Sequence, residues 1–184
     1  MHILAISGSL RAVSSNTNLL RALADLASPN HTIRIFDGLA ELPAFNPDID
    51  TMPGPEAVER FRAELRASHG VIFSTPEYAH GVPGSLKNAL DWVVGSGELV
   101  DRPVAIFNAS PRSTYALASL TETLSVMSTR IIAEAGTTIQ LMGRNLGAEG
   151  IAADPEFSLA LRAGLEAFTR AIEAQSSMAE PGTR

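Results

Sequence analysis

The chain has 184 residues, 45% of them hydrophobic, and a formal net charge of -6 at pH 7. This fits one globular domain with a buried core and disfavours nucleic acid or an anionic membrane surface, which both need a basic face. Cysteine is absent, which removes disulfides, thiolate metal sites and cysteine nucleophiles together.

No basic segment followed by an apolar stretch opens the chain, and no window of about 18 uninterrupted apolar residues follows, so a cytoplasmic protein is expected. The first element is a strand over His2 to Ser7, built on Ile3-Leu4-Ala5-Ile6 and leading into an amphipathic helix from about Asn16 to Ala27. The junction, Ser7 to Asn18, consists almost entirely of groups that bind oxyanions. Gly8 lets the backbone turn, the hydroxyls and the asparagine amide donate hydrogen bonds, and Arg11 supplies fixed charge. The helix start, capped by Ser15 or Asn16, turns unpaired N–H groups and its positive dipole end to the same spot. A phosphorylated ligand is expected. A cysteine-dependent phosphatase, which such a loop also suits, is excluded by composition.

Next come a strand at Thr32 to Phe36, a long loop from Asp37 to Gly54, and a helix from Pro55 to Ser68 with Pro55 at its first turn. The loop is either a proline-stiffened cover or a wall of a site or subunit contact. Val71 to Thr75 and Val104 to Ala109 read as strands, followed by helices at Pro83 to Val94 and about Tyr115 to Ser128. Arg130 to Glu134 and Thr137 to Leu141 both have strand character and form the last strand region. Asp154-Pro155 starts a closing helix that runs to Ala174, and Gln175 to Arg184 is expected to be a frayed tail.

Strands that read as continuous apolar runs between helices indicate an α/β chain with a five-stranded parallel sheet covered on both faces, over residues 1–174 as one domain. Ligands in such sheets sit at the carboxyl ends of the strands, where the loops at 7–15, 76–82 and 110–114 should meet.

The second of these loops opens the run Thr75-Pro76-Glu77-Tyr78-Ala79-His80-Gly81-Val82-Pro83-Gly84-Ser85-Leu86-Lys87-Asn88. Together with Gly8-Ser9-Leu10-Arg11-Ala12-Val13-Ser14-Ser15-Asn16, it resembles the NADPH-dependent FMN reductases, a family that includes quinone, azo and chromate reductases. That family pairs a Gly-Ser-x-Arg-x-x-Ser-x-Asn loop with Pro-Glu-Tyr and Pro-Gly-x-Leu-Lys-Asn. The resemblance implies a flavodoxin-like three-layer sandwich of strand order 2-1-3-4-5. By position, Ser9, Arg11, Ser14 and Asn16 match the family's FMN phosphate ligands, with Ser15 and Thr17 beside them. Pro76, Glu77, Tyr78 and Ala79 match the stretch along the flavin ring, and Ser110 begins a loop toward the ring's pyrimidine end. The chain departs from the family at Ala79, where many relatives have asparagine, and at Ser110-Pro111-Arg112-Ser113-Thr114, where many are glycine-rich.

The implied activity is hydride transfer from NADPH, or NADH, to bound FMN and on to free flavin, a quinone or another small electron acceptor, by a ping-pong mechanism. Such chemistry needs no catalytic side chain, and none is nominated. The alternatives are a flavodoxin-like electron carrier without turnover and a protein for another phosphorylated ligand. The resemblance also implies a homodimer or homotetramer, with Leu42, Phe45 and Trp92 marking candidate surfaces. Arg112, if turned inward, favours the reduced ring; His80 contacts nicotinamide, a partner subunit or only solvent. Glu77 holds a helix end or a neighbouring subunit, Lys87, Asn88 and Asp91 order the loop before them, and Trp92 is core or interface. Gly95-Ser96-Gly97 reads as a helix cap and turn. No metal site is expected from His2, His31 and His69, which lack ligand spacing.

Overall fold

The computed structural model, which describes residues 1–179, has four strands of four residues or more, β1 (His2–Ser7), β2 (Thr32–Ile35), β3 (Gly70–Ser74) and β4 (Pro103–Asn108), of which β1, β3 and β4 carry the buried apolar runs and the edge strand β2 alternates. With the short β5 (Arg130–Ile131) they form a parallel sheet of order β2-β1-β3-β4-β5, the expected flavodoxin-like arrangement. The helices are α1 (Ser15–Leu26), α2 (Glu56–Ala67), α3 (Gly84–Val94), α4 (Thr114–Val126), α5 (Ala148–Ala153) and α6 (Pro155–Ala179).

Alternate residues of the strands feed two cores. Ile3, Ala5, Ile72 and Phe107 pack with α1, α5 and α6 through Leu19, Leu23, Ile151, Leu161 and Phe168. Leu4, Ile6, Phe73 and Val104 pack on the other face with α2, α3 and α4 through Phe61, Leu65, Leu86, Trp92 and Leu120. Burial on both faces is the reason β1, β3 and β4 read as apolar runs, whereas the edge strand β2 alternates, with Thr32 and Arg34 exposed.

The last strand region is in two pieces. β5 pairs with Pro103 and Val104 at the start of β4, while β6 (Thr137–Thr138) pairs with Phe107 and Asn108 at its end. Between them lies a 3-10 turn at Ala133–Ala135. Helix α6 sits directly on this break. A Cβ on Gly164 would collide with Thr137 Oγ1 and lie 2.9 Å from Ala135 O, so only glycine permits the approach.

Helix α1 is capped by Ser14, not Ser15 or Asn16: Ser14 Oγ accepts from Thr17 N at 3.3 Å. Pro55 occupies the cap position of α2 rather than its first turn. Asp154 caps α6 as expected, its Oδ1 accepting from Glu156 N and Phe157 N. That helix continues past Ala174 to Ala179, and residues 180–184 of the expected frayed tail lie outside the described residues.

The loop at 37–54 is fastened to α2 and α3. Trp92 Nε1 and Asn88 Nδ2 both donate to Pro43 O, at 2.8 and 2.9 Å, and Phe45 N donates to Asn88 Oδ1 at 2.7 Å. Asn88 thus orders this loop and not the one preceding its own helix. Arg62, nearly fully buried, donates to Asp50 Oδ1 and to Trp92 O at 2.7 Å each, and to Glu59 at 3.2 Å. Burial opposes its charge, but the hydrogen bond and attraction from Asp50, then Glu59, outweigh that and raise its pKa above the ordinary arginine value. Trp92 is 0% exposed and Leu42 8%, so both belong to the core and neither marks an outer surface.

Candidate functional site

The carboxyl ends of β1, β3 and β4 open onto a cavity of about 350 Å³ formed by the three loops singled out in the sequence. Arg11, Ser15 and Asn16 come from the first loop and the start of α1, and Pro76 and Glu77 from the second. Ser110, Arg112 and Ser113 come from the third. Ala109 and Met142 complete the lining, and Met142 comes from the segment after β6, which carries no signal in the sequence.

Gly8 anchors the first loop. Its N–H donates to Ser74 O at 2.8 Å, and a Cβ would collide with Thr75 Oγ1 and lie 3.1 Å from Leu86 Cδ2. The two loops are therefore in contact through a position that admits no side chain. Ser7 Oγ and Thr17 Oγ1 are 2.8 Å apart, Ser9 N donates to Ser7 Oγ, and Arg11 N donates to Ser9 Oγ at 3.4 Å. Ser9, Ser14 and Thr17 thus hold the loop's own shape, while Arg11, Ser15 and Asn16 reach the cavity.

Asn16 is 8% exposed, and its Oδ1 accepts from Ser74 Oγ at 3.0 Å, which leaves the Nδ2 amide uncommitted. The first-turn amides of Ser15 and Asn16 have no intrahelical acceptor. A side-chain donor on a mostly buried residue, two backbone donors, the helix dipole and a guanidinium converge where a phosphate would sit. These groups fit a phosphate monoester.

In the second loop, Tyr78 and Gly81 exchange backbone hydrogen bonds across a tight turn whose central residues have left-handed backbone, Ala79 at φ 49° and His80 at φ 59°. Tyr78, Ala79 and His80 are exposed and stand outside the cavity lining. His80 stacks on Tyr115 of α4, with centroids 4.2 Å apart and planes 17° from parallel. Glu77 Oε2 accepts from Ala116 N at 2.9 Å and so caps α4 from another loop. Of its expected alternatives, Glu77 takes the helix end.

The third loop is held by its own turns: Ser110 N donates to Asn108 Oδ1 and Arg112 N to Ser110 Oγ. No ion pair among the described residues includes Arg11 or Arg112. Glu77, the one carboxylate on the lining, is turned to the α4 amides, and the cavity is left electropositive. Lys87 pairs with Asp91 at 2.6 Å along α3, away from the site. Among the described residues, no group of three or more His, Cys, Asp or Glu is arranged to hold a metal, and no helix is long and apolar enough to cross a membrane.

A family model described as NADPH-dependent FMN reductase matches residues 1–139. The chain is 40% identical over 110 residues to an NAD(P)H-dependent FMN reductase of Pseudomonas aeruginosa, covering 59% of each chain. It is 39% identical over 112 residues to a quinone reductase of Pseudomonas putida, covering 59% of this chain and 60% of that one. These matches thus span about three fifths of the relatives' own length. The flavoenzyme NAD(P)H:(acceptor) oxidoreductase FerB from Paracoccus denitrificans superposes with a TM-score of 0.84 at 28% identity, covering 94% of this chain and 97% of that one. An NADH:FMN oxidoreductase in its apo form gives a TM-score of 0.68 at 20% identity, over 92% and 89% of the two chains, and shares the fold.

Proposed function

Because the chain belongs to the NADPH-dependent FMN reductase family, we propose that it holds FMN at the carboxyl ends of β1, β3 and β4 and uses it to pass hydride from NADPH, or NADH, to a small acceptor such as free flavin or a quinone. The observation that carries this is the uncommitted amide of buried Asn16 beside the free first-turn amides of α1, in an electropositive cavity whose lining also includes Pro76, Ala109 and Met142.

Asn16 Nδ2, the amides of Ser15 and Asn16 and the Arg11 guanidinium would bind the phosphate. Pro76, Ala109 and Met142 supply the apolar contact that a flavin ring needs and keep water from it. Bound FMN would supply the hydride chemistry, accepting from a nicotinamide and delivering to the acceptor. Arg112 brings positive charge to the rim, the sign that favours electron uptake. No side-chain acid or base is required, and donor and acceptor use the same open face in turn, which gives ping-pong kinetics.

Assembly as a homodimer or homotetramer belongs to the same proposal. With Trp92 and Leu42 in the core, the apolar side chains free for a subunit contact include Val94 and Val126, which share a groove between α3 and α4. Sedimentation equilibrium, with Val126→Glu as the disrupting variant, tests this.

Anaerobic mixing of FMN-loaded protein with NADPH tests the activity. Rapid loss of the oxidised flavin band is expected, and parallel double-reciprocal lines with a quinone. An unbleached band would leave a carrier or holder of FMN, and intersecting lines would refute the ping-pong order.

A further inference from the structure

At the opposite end of the sheet, where β3 and β4 begin, lies a cavity of about 450 Å³, larger than the candidate FMN site. It is an open cleft lined by the end of α2, the segments leading into β3 and β4 and the last turns of α6.

Two arginines reach it, and they differ in kind. Arg66 is paired at 2.9 Å with Glu98, whose side chain is 4% exposed. Arg102 has no ion pair among the described residues. Its Nη1 donates to Ser68 O and its Nε to Glu98 O, both backbone carbonyls that fix the guanidinium without neutralising it. Burial pushes its pKa below the ordinary arginine value, with no opposing attraction from an anion. A partly desolvated cation held in place with Nη2 uncommitted is matched by an incoming carboxylate, which Nη2 can meet with a charge-assisted hydrogen bond.

The rest of the lining limits what that anion carries. Ile172, Val100 and Pro103 form an apolar wall. His69 Nδ1 accepts from His2 N at 3.1 Å, so the neutral ring bears its proton on Nε2 and offers a second donor. Asp101, also on the lining, opposes a second negative charge.

We propose that this cavity is a second ligand site, for a monocarboxylate with a compact apolar body, its carboxylate on Arg102 and its body against Ile172 and Val100. The site shares no residue with the candidate FMN cavity, and its occupancy does not depend on FMN.

Benzoate is the probe, titrated into the full-length protein with and without FMN and followed by calorimetry and by chemical-shift changes of residues 66–69 and 172–176. Saturable binding at one site is expected in both samples, with no displacement of FMN, and inorganic phosphate is expected to leave these residues unshifted. Arg102→Met is expected to weaken benzoate at least tenfold. Val100→Glu, at a side chain 52% exposed and so without a core to disturb, is expected to do the same by placing a carboxylate at the mouth. Absence of saturable binding, competition with FMN, a preference for phosphate, or undiminished affinity in Val100→Glu would each overturn the proposal.

Discussion

Replacing Gly8 with alanine tests the contact between the first two loops. The new Cβ would collide with Thr75 Oγ1 and lie 3.0 Å from Thr75 Cβ and 3.1 Å from Leu86 Cδ2, with Leu86 fully buried. The backbone cannot withdraw freely, because Gly8 N is bonded to Ser74 O at 2.8 Å. Overpacking of this kind costs about 2 kcal/mol. At roughly 2–4 °C per kcal/mol for a chain of this size, Tm should fall by about 4–8 °C. Thr75→Ala removes the hydroxyl and leaves the Cβ contact. On its own it loses a 3.2 Å hydrogen bond to Pro76 O, a cost of about 0.5–1 kcal/mol. In the double variant about half of the Gly8→Ala cost should disappear, a coupling of about 1 kcal/mol. Urea unfolding of all four proteins measures the cycle, read at constant m-value. If Gly8→Ala costs the same with and without the Thr75 hydroxyl, the two loops do not meet as described.

Three further substitutions probe the supports of the site. Ala79→Asn puts a residue tolerant of left-handed backbone where φ is 49°, and should raise stability by about 0.5–1 kcal/mol in thermal unfolding; a loss would mean the turn is not held there. Glu77→Ala removes the acceptor for Ala116 N and should cost about 1 kcal/mol in urea, with Glu77→Gln recovering part of it. Arg62→Met strands Asp50 and Glu59, 26% and 35% exposed in their side chains. Because both carboxylates reach water, the cost should be about 2–3 kcal/mol, below the figure for a fully buried pair. A midpoint within error of the parent protein would show that Arg62 does not fasten the 37–54 loop.

Much of the architecture was legible in the sequence because a sheet covered on both faces writes its inner strands β1, β3 and β4 as apolar runs. The last strand region was legible as two segments with strand character, but not its reduction to two-residue pairings at opposite ends of β4: contacts such as Thr137 with Phe107 are set by the approach of α6 at Gly164. Helix α5 escaped notice because six residues with Gly150 inside carry little periodicity, and Ile151, fully buried in the core shared with α1, is its main apolar anchor. The phosphate-type loop was legible from its residue types, but not which of its members face inward and which shape the turn. Asn88 and Trp92 stood out in the sequence, yet their partner, Pro43, lies more than forty residues away and no local rule points to it. Arg62 did leave a trace. It occupies an apolar slot of the helix pattern Val58, Phe61, Arg62, Leu65, all buried, and a charge at such a slot signals a buried ion pair.

The comparison of FMN with riboflavin, which has the same ring and no phosphate, tests most directly whether the α1 end grips a phosphate. Fluorescence titration should give FMN at least about a hundredfold tighter, since two charge-assisted hydrogen bonds at about 1.5–3 kcal/mol each suffice for that ratio. Asn16→Asp, which keeps the acceptor for Ser74 and sets a carboxylate beneath the phosphate, should shrink the gap at least about tenfold. Equal affinity for the two flavins in the parent protein would contradict the account.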